Sequence, residues 1–205
     1  MQFEDKLWEL LRDGTAASSR RFRAGLALAV NSQQTEPDPW LPNEFSFLTE
    51  QLVVANSEHQ SRLREYLRPL QDRLLPELER IFADKTASES RQVSAANALG
   101  DYAVKDMARL SRLLTVATPE QYALLYPLVS SAKDTAATGL LAQLVRETPA
   151  EDLPQADRVS LGQRRAAAAI TLLRQGERER FLDVLRVGSD PESLSQFVEI
   201  GRAHV

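Results

Sequence analysis

The sequence holds no cysteine and only two histidines, His59 and His204, among 205 residues. The first absence excludes disulfides, thiolate metal ligands and cysteine nucleophiles. The second leaves no histidine pair at metal-ligand spacing. Eight glycines are scattered along the chain, with neither a Gly-rich phosphate cradle nor a Gly-x-Ser-x-Gly nucleophile elbow. No window approaches the roughly 18 unbroken apolar residues that cross a bilayer, and the opening Met1-Gln-Phe-Glu-Asp-Lys6 has neither a basic head nor an apolar run. Against 25 Lys and Arg stand 29 Asp and Glu, a net charge of −4, which argues against a general binder of phosphate backbones. No alternating valine- or isoleucine-rich stretch exists, so no sheet is expected.

What the chain does contain is a recurring pattern of small residues. In Arg91 to Ala103, the residues Arg91, Ala95, Ala96, Ala98, Leu99 and Gly100 are matched by Arg20, Ala24, Gly25, Ala27, Leu28 and Ala29. Arg164, Ala168, Ala169, Thr171, Leu172 and Leu173 match more loosely. Arg20 and Arg91 are 71 positions apart, Arg91 and Arg164 are 73 apart, and half of either spacing is about 36, within the range of two-helix repeats of the HEAT and armadillo kind. Small residues at such places let two helices touch.

Apolar periodicity and stop signals divide the rest into helices. Phe3, Leu7, Leu10 and Leu11 mark a helix over 3–13, closed by Gly14, and its partner runs over 16–31. Arg20, Arg21 and Arg23 form either a basic patch or solvated flanks of a buried face. Residues 31–42, with three prolines, read as a loop in which Trp40 and Leu41 are either an exposed anchor or an aromatic tucked over the helix ends. A helix over 43–55 follows, then Ser57 to Gln60 as a capping box, and Pro69 ends or kinks the next helix. Leu74, Leu75, Leu78, Ile81 and Phe82 form a stripe with Pro76 in its first turn, and Thr86 to Glu89 reads as a second box. A helix over 105–116 precedes Thr118, Pro119 and Gln121, which supply cap, first-turn proline and box partner together. Pro127 bends the helix that follows; Leu140, Leu141, Leu144 and Val145 make another, closed by Thr148-Pro149, and Gln175-Gly176 stops the alanine-rich helix through Ala166 to Ala169. Phe181, Leu182, Leu185 and Val187 form a last full helix, and one more opens at Asp190.

Carboxylates at Glu77 and Glu79, or at Glu147, Glu151 and Asp152, are either an acid and base or solvated faces paired with arginines. Alternation of Glu177, Arg178, Glu179 and Arg180 indicates a wet helix surface.

Four stretches resemble one known context: Pro39 to Leu48, Leu67 to Tyr102, Arg164 to Gly176 and Leu185 to Pro191. They are similar to the helical segment of large multidomain proteins, mainly of planctomycete-type bacteria. There it is flanked by a serine/threonine protein kinase domain and a domain like the formylglycine-generating sulfatase-modifying fold. Neither enzyme domain is present here, so the resemblance implies activity for a parent protein alone. Residues 199–205, Glu-Ile-Gly-Arg-Ala-His-Val, resemble the translation of a sequencing adapter and are expected to be a non-native tail. The natural chain is then expected to continue past Val198, with Leu194, Phe197 and Val198 exposed.

The expected fold is all-α, a right-handed α-α superhelix of the HEAT/armadillo kind with about five to six helix pairs, spanning residues 1–198 as one repeat domain. The expected role is a non-catalytic scaffold or protein-interaction segment in the cytoplasm. No catalytic residue, cofactor, metal, nucleic acid, membrane or small-molecule substrate is expected. Its partners are another protein or the flanking domains of the same chain, met through Arg91, Gln92, Asp101 and Arg165 as exposed members of the second helices. The alternative is a HEAT-like nucleic-acid-acting domain such as an alkylated-base glycosylase, which requires a basic groove with aromatic residues and an acid.

Overall fold

A computed structural model describes residues 3–31, 39–132, 134–150 and 152–180. The predicted helices beyond 180, the exposure of Leu194, Phe197 and Val198, and the tail 199–205 lie outside them. Among the described residues all regular structure is helical. Ten α-helices occur: α1 Phe3–Arg12, α2 Ser18–Val30, α3 Pro42–Val54, α4 Ser57–Leu67, α5 Gln71–Ala83, α6 Glu89–Tyr102, α7 Met107–Leu114, α8 Pro119–Ala132, α9 Thr135–Arg146 and α10 Gln155–Arg174, with a 3₁₀ turn at Arg68–Leu70. Their contacts divide the chain into two compact units, Met1–Tyr102 and Ala103–Val205.

In the first unit, α1 pairs with α2 and α5 with α6, while α3 packs on α5 and α2 and α6 each pack on α4. The two hairpins have the same turn. Asp13 accepts from the backbone N–H and the hydroxyl of Thr15 at 2.9 and 2.6 Å. Asp84, 71 positions on, accepts from Thr86 at 2.9 and 2.7 Å. These bonds to the charged form hold both carboxyls below the ordinary aspartate range. Thr86 is thus occupied by Asp84, and α6 begins at Glu89 without the predicted Thr86–Glu89 box. The box predicted at Ser57 is also replaced. Asn56 caps α4 by accepting from the Glu58 N–H, and Gln60 turns inward to donate to the Ala55 carbonyl and the Ser94 hydroxyl at 3.0 and 2.9 Å. An acceptor one residue earlier already serves that helix end, which frees Gln60 to join α4 to α6.

Pro69 falls in the 3₁₀ turn, so it resets the helix direction. Pro76 is interior to α5, beyond the first turn, on the exposed side of a helix whose Leu74, Leu75, Leu78, Ile81 and Phe82 are buried. There the carbonyl it leaves without an intrahelical donor is turned to water. Trp40 is 7% exposed and lies between Trp8, edge-on at 4.7 Å, and Phe45, stacked at 5.8 Å. It takes the tucked position. Glu44 beside it is buried, but its carboxylate accepts from Arg12 Nε at 2.7 Å and the Leu41 N–H at 2.7 Å.

In the second unit, α7 packs on α8 and α9, and α9 on α10. The predicted start at Thr118 is present as a reciprocal box: the Thr118 N–H donates to Gln121 at 2.8 Å and the Gln121 N–H to the Thr118 hydroxyl at 3.4 Å. Leu141, Ala142 and Val145 of α9 meet Ala168, Ala169 and Leu172 of α10 in one apolar cluster. The α10 helix ends at Gly176, whose φ of 85° lets its N–H and that of Glu177 reach the Leu173 and Leu172 carbonyls. Tyr122 bonds the Thr171 hydroxyl at 3.1 Å. Because that hydroxyl's own proton goes to the Ala167 carbonyl, Tyr122 is the donor.

Of the residues that the repeat pattern places at helix contacts, Ala24, Ala95, Ala98, Ala168 and Leu172 are buried and Ala27 is half-buried. At Gly25 a Cβ would stand 2.6 Å from Leu48 Cδ2, so the glycine itself lets α2 and α3 approach. Ala98→Phe should destabilise the protein by about 1–3 kcal/mol through overpacking; an unchanged denaturant midpoint would contradict close contact there.

Burial raises the hydroxyl pKa of Tyr102 and of Tyr122 above the ordinary 10.0. A group whose folded value is raised contributes stability that is intact below the unfolded value and lost as pH rises through the folded one. Unfolding free energy should therefore start to fall above about pH 10. Tyr102→Phe, which also loses the 2.9 Å bond to the Arg64 carbonyl, should make that alkaline slope shallower in urea titrations at pH 9 and 11.

Candidate functional site

The four residues expected to meet a partner divide into two kinds. Arg91 and Asp101 are partly exposed and ion-paired, Arg91 with Glu50 of α3 and Asp101 with Arg64 of α4. Gln92 and Arg165 are not exposed. Gln92 is 9% and Arg165 1% accessible, a correction whose cause is helical spacing. Gln92, Ala95, Ala96 and Leu99 follow i, i+3, i+4, i+7, as do Arg165, Ala168, Ala169 and Leu172, so both lie on the stripe that faces the neighbouring helix.

At the end of that stripe their polar heads make one kind of contact in common. Gln92 Nε2 donates to the Asp84 carbonyl at 2.6 Å, at the C-terminal cap of α5. Arg165 Nε donates to the Val145 carbonyl at 3.1 Å in the last turn of α9. Arg21, at the matching place before Ala24, Gly25 and Leu28, donates through Nε to the Leu11 carbonyl at 2.9 Å in the last turn of α1. The last carbonyls of a helix have no partner within it, and in each hairpin the second helix supplies one. Arg21, read beforehand as patch or flank, is the first of this series.

The carboxylate reading resolves at Glu77. It accepts from Arg80 Nε at 3.1 Å and from the Ser46 hydroxyl at 3.1 Å, while Glu50 accepts from Arg80 at 3.2 Å and from Arg91. This is a paired surface network joining α3, α5 and α6.

An open groove lies in the second unit. A groove of about 1090 Å³ runs along α9, between the end of α7 and the flank of α10. Its floor is one face of α9, with Gly139, Leu140, Gln143, Leu144 and Glu147, and its rims carry Arg112, Thr115 and Val116 from the α7 end and Arg164 from α10, with Arg146, Thr148 and Arg180. Four arginines thus face one carboxylate, Glu147. The Arg164 Nε is shut off from solvent without a hydrogen-bond partner. Neither Arg112 nor Arg164 has a carboxylate partner among the described residues. Val116, Leu140 and Leu144 add aliphatic surface. A Cβ on Gly139 would meet nothing within 4 Å, so the floor is open at that point.

Sequence reasoning placed Leu140 and Leu144 in one stripe with Leu141 and Val145, and it treated Arg180 as a wet surface. Leu141 and Val145 are fully buried, whereas Leu140 and Leu144 are half-buried along the groove. The available signal was the second face of α9, since 139, 140, 143, 144 and 147 also recur at helical spacing.

Among the described residues no helix is long and apolar enough to cross a membrane. No protein-family model, curated protein or solved structure matches the chain.

The carbonyl-capping role of Arg165 is open to direct measurement. Arg165→Met keeps most of the buried stem but strands the Val145 carbonyl, and should cost about 1–3 kcal/mol in chemical denaturation. A stability loss no larger than that of Arg164→Met, whose side chain faces the groove, would contradict that role.

Proposed function

We propose that the chain is a non-catalytic helical repeat segment that serves as a scaffold and protein-interaction surface in a larger bacterial signalling protein of the cytoplasm, the kind that also carries a serine/threonine kinase domain. The observation that carries the interaction half is the arginine groove of the second unit, where guanidinium groups line an open, partly aliphatic floor. The repeat half is supported by the hairpins at α1–α2 and α5–α6, whose turn aspartates, Asp13 and Asp84, and whose carbonyl-capping donors, Arg21 and Gln92, are each 71 residues apart. The kinase context rests on the resemblance of the four stretches named above.

A nucleic-acid-acting reading draws on the same four arginines. A flipped or single-stranded base, however, is held by stacking between aromatic faces, and the described groove residues offer valine and leucine at those places. Aliphatic pockets beside cations suit the side chains of a peptide.

Photo-crosslinking amino acids placed one at a time at exposed positions of both units, such as Glu65, Gly139 and Glu120, test the reading in cells of the source organism. Protein adducts at a subset of positions are expected. Turnover of ester, glycosidic or phosphoryl substrates by the purified chain, or the absence of adducts at every position, would overturn it.

A further inference from the structure

We infer that the groove along α9 binds an acidic peptide segment of a partner protein, in extended form, with its carboxylates on Arg112 and Arg164 and its aliphatic side chains on Leu140 and Leu144. This rests on the interaction reading above and deepens it by naming the partner's chemistry.

Charge is the first argument. Several arginines elsewhere in the described chain are matched with carboxylates: Arg12 with Glu44, Arg64 with Asp101, Arg80 and Arg91 with Glu50. The chain as a whole is acidic, so a lining of four arginines and one glutamate, with Glu177 paired to Arg180 at its edge, is a local reversal of that balance. Arg112 of α7 and Arg164 of α10 both line the groove, and neither has a carboxylate partner among the described residues. Guanidinium forks match carboxylates in geometry as well as charge.

Shape is the second. The volume of about 1090 Å³ exceeds what one small anion fills. The half-buried Leu140 and Leu144 are one helical turn apart, and their spacing of about 6 Å along α9 is close to the distance of about 6.6 Å between alternate side chains of an extended strand. A peptide with acidic and leucine side chains in alternation therefore places its leucines on the floor and its glutamates on the outer face of the strand, from which their flexible side chains reach down to the arginines.

The test uses the full chain and a fluorescein-labelled probe peptide of alternating glutamate and leucine, ten residues long, read by anisotropy. A glutamine-for-glutamate counterpart and a labelled twelve-nucleotide oligo-dT serve as comparisons. Binding of the acidic probe, at least about tenfold weaker binding of the neutral one, and weakening with added salt are expected. Arg112→Gln with Arg164→Gln should lower acidic-probe affinity about tenfold or more. Gly139→Leu, which projects a side chain from the floor into open space, should lower it for both peptides. Circular dichroism and melting should stay as in the parent protein for each variant. Equal binding of the two peptides, or an affinity that ignores both Gly139→Leu and the arginine pair, would overturn the inference. Tighter binding of oligo-dT, lost on the same substitutions, would assign the groove to nucleic acid instead. Should the probe fail while cross-links persist at Glu65 or Glu120, the interaction reading stands and the groove assignment alone falls.

Discussion

The close approach of the two helices in each hairpin is the constraint on which the rest depends. Alanine and glycine at Ala24, Gly25, Ala95, Ala96, Ala168 and Ala169 bring backbones together, and close packing has a consequence at the turn. The last carbonyls of the first helix then lie against the second helix, where water is partly excluded, and an acceptor left there without a donor costs about 1–3 kcal/mol. Long polar side chains at Arg21, Gln92 and Arg165 answer that need from the first turns of the second helices. Small-residue stripe and polar head are thus one device. A guanidinium near a helix C-terminus also meets the negative end of its dipole, which suits Arg21 and Arg165; Gln92 does the same by hydrogen bonding alone.

That device explains why the helix contacts were legible in the sequence and the burial of Gln92 and Arg165 was not. Periodicity of small and apolar residues reports which positions touch, and it placed Ala95, Ala98, Ala168 and Leu172 in the interior, where the structure has them. It also contained the information that Gln92 and Arg165 share the stripe, since each stands three residues before the first buried alanine. Residue type argued the other way, because arginine and glutamine are usually exposed. Geometry prevails here, since the acceptor that makes such burial tolerable comes from a helix about 20 residues earlier in the case of Arg165. No local pattern announces a partner of that kind.

Caps were legible where cap, first-turn proline and box partner coincide, as at Thr118, Pro119 and Gln121. Where two acceptors compete within two residues, the pattern alone does not choose. Asn56 displaced Ser57, and Asp84 captured Thr86, because each offered its oxygen at the geometry that the incoming chain required. The freed Gln60 then links Ala55 to Ser94, so a cap exchange at one helix end supplies a tertiary contact between α4 and α6.

The groove was hidden for a different reason. Its arginines come from positions 112, 146, 164 and 180, and only the packing of α7 and α10 on α9 brings them round one floor. Helix α9 has two apolar faces, and a single sequence cannot say which is covered. Leu141 and Val145 are covered by α10, while Leu140 and Leu144 remain beside the arginines. Burial of a leucine stripe is what folds the unit; Leu144 packs in part against that cluster, and Leu140 is half-buried beside it. Retaining leucine there leaves part of about 25 cal/mol per Å² of apolar burial unrealised in the folded chain. That unrealised burial, next to Arg112 and Arg164, which have no carboxylate partner among the described residues, makes the face of α9 a place where an incoming chain would gain both apolar contact and charge pairing.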